Sequence, residues 1–138
     1  MGLFAEVKEP GTEGRIASML ERGGLERDCV TVSFHHRSIL SVKESHPKIR
    51  CGVIYSGGPI RPWLVALDAK AEMLVPNYNN VDGKMVEEAH GRKLLVQTWT
   101  VNNADDAESM VEAGVDGIAS DFDVVLAAIA ERRPVTAG

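Results

Sequence analysis

The sequence predicts an α/β domain built on an all-parallel sheet with helices outside it, and three observations carry that prediction. Short apolar, β-branched runs alternate with amphipathic helical stretches about six times along the chain of 138 residues. No linker, low-complexity segment or shift in composition divides it, so residues 1–138 read as one domain. The stretch from Leu94 to Asp121 compresses a strand, a helix and a strand into one βαβ unit, whose strands must run parallel. Rhythm alone leaves a doubly wound sheet and part of a barrel equally open.

Leu3 to Val7 is the first strand-like run. Residues two apart point to the same side of a strand, so Glu6 and Lys8 share one side and Ala5 and Val7 the other. Those two charges fit the solvated face of an edge strand, or a metal ligand and a phosphate contact at the mouth of a barrel. Pro10-Gly11 turns the chain. Thr12 is placed to cap a helix with Ile16, Met19 and Leu20 in an apolar stripe, and Gly23-Gly24 ends it. Cys29 to Phe34 is continuously apolar and β-branched, as in a strand covered on both faces. His35-His36-Arg37 opens the next helix, marked by Ile39, Leu40 and Lys43. Two adjacent histidines point to different sides, so they read as a solvated helix start.

Arg50 to Tyr55 is another strand, followed by the loop Ser56-Gly57-Gly58-Pro59, which lacks the Lys-Ser/Thr pair of a phosphate-binding P-loop. A short helix spans about Pro62 to Ala69, with Trp63 as a core or rim aromatic. Met73 to Val75 is a brief strand ending at Pro76, and Asn77-Tyr78-Asn79-Asn80 lies beyond it. Asp82 caps a helix through Val86 and Ala89 that Gly91 stops. In the βαβ stretch, Asn103 caps a helix with Asp106 three residues on, and Ala107, Met110 and Val111 form its stripe. Gly114 stands where a left-handed stop is wanted, before a strand over Val115 to Ala119. Phe122 to Arg132 makes a last helix with Val125, Ala128 and Ile129 on one side. Arg132 and Arg133 suit its dipole, and the tail after Pro134 is expected to fray.

The net charge of −5, with no basic stripe, argues against a nucleic-acid partner. No apolar run reaches the length of a membrane span and the start has no signal-peptide pattern, so a cytoplasmic location is expected. Cys29 and Cys51 read as buried free thiols, which suits a reducing compartment. Even with His35, His36 or His46 they match no zinc spacing.

In parallel sheets of this kind, ligands are handled at the carboxyl ends of the strands. Trp99 and Asn102 lie at one such end, and Ser120 and Asp121 at the next. Trp99-Thr100-Val101-Asn102, followed a helix later by Gly114-Val115-Asp116-Gly117-Ile118 and Asp121, closely resembles the C-terminal signature of the glycerophosphodiester phosphodiesterase family. Phe4-Ala5-Glu6-Val7-Lys8 is similar to the family's Glu-Ile-Lys strand, the third of eight, and Val32-Ser33-Phe34 to the end of the fourth. Gly52 to Tyr55, Leu74 to Pro76, Thr98 to Asn102 and Asp116 to Asp121 fit the fifth to the eighth. The resemblance therefore implies a partial TIM-type (β/α) barrel holding about the last six βα units of eight.

By the same resemblance, the activity is that of a phosphoric diester hydrolase of lipid and glycerol metabolism. It turns a small glycerophosphodiester and water into glycerol 3-phosphate and an alcohol. Glu6 would bind a divalent metal, magnesium or calcium, and Lys8 would contact the phosphodiester. Trp99 would wall the glycerol side, with its indole N–H free to donate. The departures are as informative. The family's His-Arg-Gly motif, its Glu-x-Asp pair and its second His belong to the first two strands and are absent here. No catalytic residue is thus assigned, the metal site is incomplete, and the chain alone is expected to be inactive. Phe122-Asp123 also stands where the family has an aromatic followed by Pro.

Six strands cannot close an eight-stranded ring, so two edges would remain open, through which copies could assemble as a homo-oligomer. The alternative function is a non-catalytic half-barrel module that binds a phosphorylated ligand or a partner chain. Another phosphate-handling barrel enzyme is a third reading, supported by Gly114 to Ile118 only.

Overall fold

The structure, a computed structural model, describes residues 2–132, without the side chains of 124, 126, 128, 129 and 132. The expected stripe positions Ala128 and Ile129, the Arg132 side chain, Arg133 and the tail after Pro134 lie outside the described residues.

Six strands form one sheet: β1 (Leu3–Glu6), β2 (Cys29–Ser33), β3 (Arg50–Tyr55), β4 (Met73–Pro76), β5 (Leu95–Thr98) and β6 (Gly117–Ile118). Each pairs in parallel with its neighbour in sequence, in the order β1-β2-β3-β4-β5-β6. The connections carry α1 (Glu13–Arg22), α2 (His36–Ser45), α3 (Trp63–Asp68), α4 (Gly83–His90) and α5 (Ala104–Ala113). α6 (Asp123–Arg132) follows β6, and a 3-10 turn, Tyr78–Asn80, follows β4. A doubly wound sheet reverses its strand order at a switch point. Here the order never reverses, so the winding is that of a barrel with helices around it, open between β1 and β6.

The two faces of the sheet make two apolar layers. Cys51, Val53, Tyr55, Leu74 and Val96 point outward and pack with Ala17, Ile39, Val42, Ala66, Val86, Ala89, Ala107 and Met110 of the helices. Val30, Val32, Ile54, Met73 and Val75 point inward, with Leu95 and Trp99 against them. Gly52 lies between these inner side chains. A Cβ there would come within 3.1 Å of Val32 Cγ1 and Val75 Cγ2, so any larger residue would push these side chains apart by a few tenths of an ångström.

Local chemistry explains most element boundaries. The Asp82 side chain accepts from the Met85 amide (2.8 Å) and Asn103 from the Asp106 amide (2.9 Å), which caps α4 and α5. Gly114 adopts φ 89°, ψ 21° and returns its N–H to the last turn of α5. Three expectations need correction. Thr12 precedes α1 but makes no side-chain cap, because its hydroxyl donates to Glu9 O at 2.7 Å. Met19 is 59% exposed, and α1 packs through Ala17 and Leu20 instead. The last strand shrinks from the expected Val115 to Ala119 to two residues, since β5 offers it only the Gln97 and Thr98 positions.

Acidic side chains secure the amino ends of the strands. Glu72 accepts the Cys51 amide at 2.8 Å and pairs with Lys43, whose ammonium also donates to Pro47 O and Ile49 O. Asp116, from the Gly-Val-Asp-Gly run, accepts the Val96 amide (2.7 Å) and pairs with His90 (2.8 Å). Both cysteines are free and buried. Burial pushes the Cys51 thiol up to about 12 and raises that of Cys29 as well.

Candidate functional site at the carboxyl rim

The carboxyl ends of all six strands gather at one rim, and the inner face at that rim is where the singled-out residues stand. Glu6, the last residue of β1, lies opposite Val32 of the inner layer. Lys8 follows two residues later, just beyond the end of β1. Both side chains are exposed, and among the described residues neither joins a hydrogen bond or an ion pair. This sets Glu6 apart from Glu72 and Asp116, whose carboxylates are taken up by strand amides.

Trp99 directly follows β5, after Thr98, and is half-buried against the inner layer. It is fixed at three points. Its amide donates to Pro76 O (3.2 Å), its carbonyl accepts from the Tyr78 amide (2.9 Å), and its indole Nε1 donates to Val75 O (2.9 Å). The last contact corrects the expectation of a free indole N–H. That donor holds the ring to β4, and only the ring's apolar surface is left for a ligand. The peptide bond after Trp99 is cis.

The end of β2 joins the two groups, a link that residue spacing did not reveal. Ser33 is fully buried, its hydroxyl donating to Val7 O (2.6 Å) and accepting from the His35 amide (2.9 Å). Val7 is the residue between Glu6 and Lys8, so the bond fixes the backbone from which both project. Phe34 then meets Trp99 edge to face, ring centroids 5.6 Å apart and planes at 80°. The sequence signals were a buried serine at the end of a β-branched run and the likeness of Val32-Ser33-Phe34 to the end of the family's fourth strand.

At the neighbouring strand ends, Asn102 and Asp121 clasp each other. Asn102 Nδ2 donates to Asp121 Oδ2 (2.9 Å) and the Asp121 amide donates to Asn102 Oδ1 (3.0 Å). The Ser120 hydroxyl accepts the Phe122 amide at 3.1 Å. The histidines near the rim are not arranged as a pair. His36 Nε2 is tied to Ile54 O (2.8 Å), whereas His35 is exposed at the start of α2.

A hard divalent cation wants about six oxygen ligands. Glu6 supplies one carboxylate, and among the described residues no three His, Cys, Asp or Glu side chains converge on a point. These residues therefore do not by themselves make a metal site. Among them too, no helix is long and apolar enough to cross a membrane.

Residues 6–124 match the model of the Glycerophosphoryl diester phosphodiesterase family. A glycerophosphodiester phosphodiesterase of Caldanaerobacter subterraneus subsp. tengcongensis is 34% identical over 115 residues, which are 83% of this chain and 47% of the relative. The chain thus spans about half the length of the curated relatives it matches. Among solved structures, an Oleispira antarctica phosphodiesterase in complex with the product sn-glycerol-3-phosphate superposes with a TM-score of 0.80 at 24% identity. It covers 94% of this chain and 56% of its own. A glycerophosphodiester phosphodiesterase of Parabacteroides distasonis gives 0.77 at 20% identity, over 95% of this chain and 58% of its own. At such identities the structures speak for the fold.

Proposed function

The chain belongs to the glycerophosphoryl diester phosphodiesterase family, and from that premise we propose that it supplies one side of a phosphoric diester hydrolase site. The substrate class is the small glycerophosphodiesters, cleaved to glycerol 3-phosphate and an alcohol. Lys8 meets the phosphodiester, where its ammonium offsets negative charge as phosphorus becomes five-coordinate. Trp99 walls the glycerol side with its ring. Glu6 would offer one oxygen ligand to a magnesium or calcium ion, which would need further ligands beyond those found here. The general acid and base lie outside this chain, on two βα units that would complete the ring between β6 and β1.

The observation that carries this reading is the free state of the Glu6 and Lys8 side chains at the same end of the sheet as Trp99, whose ring is tethered to Val75 O. The Oleispira antarctica phosphodiesterase of similar fold is in complex with its product sn-glycerol-3-phosphate, a molecule of the class proposed here. The test is hydrolysis of sn-glycero-3-phosphocholine with magnesium or calcium. We expect no turnover by the chain alone. Turnover should appear when the chain is co-expressed with the N-terminal half of the Caldanaerobacter relative, and should fall about a hundredfold in Glu6→Ala or Lys8→Ala. Complemented turnover indifferent to both substitutions would overturn the assignment. Turnover by the chain alone that vanishes in Glu6→Ala would overturn its inertness.

A second reading, a non-catalytic module that binds a partner chain, is favoured by the open β1 edge with its exposed Leu3 and Phe4. It requires dimers or larger species by light scattering, and a compact monomer would count against it.

A further inference from the structure

We infer that a cleft on the helix side of the sheet, between the β3–α3 loop and α4, is a second binding site that takes a small apolar α-amino acid. The inference is independent of the diesterase reading, which concerns the inner face. Tyr55, the last residue of β3, packs outward in the layer shared with the helices. It is 8% exposed, and its buried hydroxyl has no hydrogen-bond partner among the described residues. Buried hydroxyls are normally paired. Tyr55 also lines the cleft, whose volume of about 200 Å³ leaves room for a partner. That is several times the ~30 Å³ share of one water molecule, yet below the roughly 300 Å³ at which pockets for drug-sized ligands begin. The space suits a small molecule.

The walls narrow its chemistry. Pro59 and Ile60 of the loop and Met85 of α4 give an apolar side. Ile60 is 95% exposed, so carbon atoms packed on it relieve unfavourable hydration. Lys84 and Glu88 line the same cleft from successive turns of α4. That spacing lets opposite charges pair, yet among the described residues neither side chain joins a hydrogen bond or an ion pair. Asp82, whose Oδ1 is taken by the Met85 amide, adds a second carboxylate to the lining. A multiply charged phosphate would meet two carboxylates there, and a simple cation would meet the Lys84 ammonium. A zwitterion satisfies both signs, with its carboxylate at Lys84 and its ammonium at Glu88 and Asp82. The Tyr55 hydroxyl donates to that carboxylate, and an apolar side chain covers Ile60.

The test is NMR titration of the full 138-residue chain with three probes: L-leucine, L-leucinamide and 4-methylpentanoate. The second lacks the carboxylate and the third the ammonium. L-leucine is expected to bind about fivefold more tightly than either. Lys84→Ala should weaken L-leucine about fivefold and leave L-leucinamide within about twofold, whereas Glu88→Gln should weaken L-leucine and spare 4-methylpentanoate. Tyr55→Phe removes only the hydroxyl and should weaken both carboxylate probes about fivefold. Lys84 is exposed and Glu88 half-buried, so their variants decide the matter even if Tyr55→Phe does not fold. Three probes of equal affinity, or charge variants that weaken all three alike, would overturn the inference. So would L-leucine binding indifferent to Tyr55→Phe. No saturable binding of L-leucine at millimolar concentration would mean that the cleft holds water only, and the inference would fall while the diesterase reading stands.

Discussion

Replacing Ser33 by Ala removes one oxygen from a site with no solvent exposure, and the structure says what that oxygen does. It donates to Val7 O at 2.6 Å and accepts from the His35 amide at 2.9 Å. His35 is exposed, so its amide can turn to water at little cost. Val7 is 1% exposed, and its carbonyl loses a partner that water cannot readily replace. A buried acceptor left unpaired costs about 1–3 kcal/mol, so we expect a loss near 2 kcal/mol. For a domain of this size that lowers Tm by about 6–8 °C. Urea unfolding followed by circular dichroism should show a lower midpoint with an unchanged slope. Amide exchange should reveal where the loss falls, with Val7 losing protection before Val96 does. A loss under about 0.5 kcal/mol, or protection lost evenly through the sheet, would refute the idea that this hydroxyl bolts β1 to β2.

Two more outcomes can be measured on the same chain. Cys51 stays protonated in the folded state up to about 12, against 9.0 for an ordinary thiol, because burial disfavours the thiolate. The folded state then holds a proton that the unfolded state has lost, so this contribution is intact below pH 9 and drains away from there toward 12. Stability should fall on the order of 1 kcal/mol per pH unit in that window, and Cys51→Ala should flatten the slope in alkaline denaturant melts. Asn102→Ala removes both bonds to Asp121 in a water-accessible place, so we expect under about 1 kcal/mol of lost stability. The Asp121 amide should nevertheless exchange clearly faster. A large loss of stability would mean that the clasp supports more than the two loops it joins.

What could be read from residue spacing was what local chemistry decides. Asn103, Asp82 and Gly114 perform their capping and stop roles because each acts on the next few residues. Thr12 failed in the same role because a competing acceptor, Glu9 O, lies three residues back. Met19 fell on a helical stripe, yet a stripe does not say whether a neighbouring element exists to cover it. At the rim, period two was the reason to expect Glu6 and Lys8 on one side. Period two could not say which strand carbonyl would capture the Trp99 indole, or that Ser33 would reach Val7 across 26 residues. Those are meetings between distant segments, fixed by the shape of the barrel.

The unreversed strand order bears on how the molecule comes into being. Every strand finds its partner in the strand that the ribosome has just released, with a single helical excursion between them. Pairing never waits for a remote segment, so loop-closure entropy is spent in small, equal instalments. Growth by accretion on the emerging end follows from this geometry, with each new βα unit finding its template already in place.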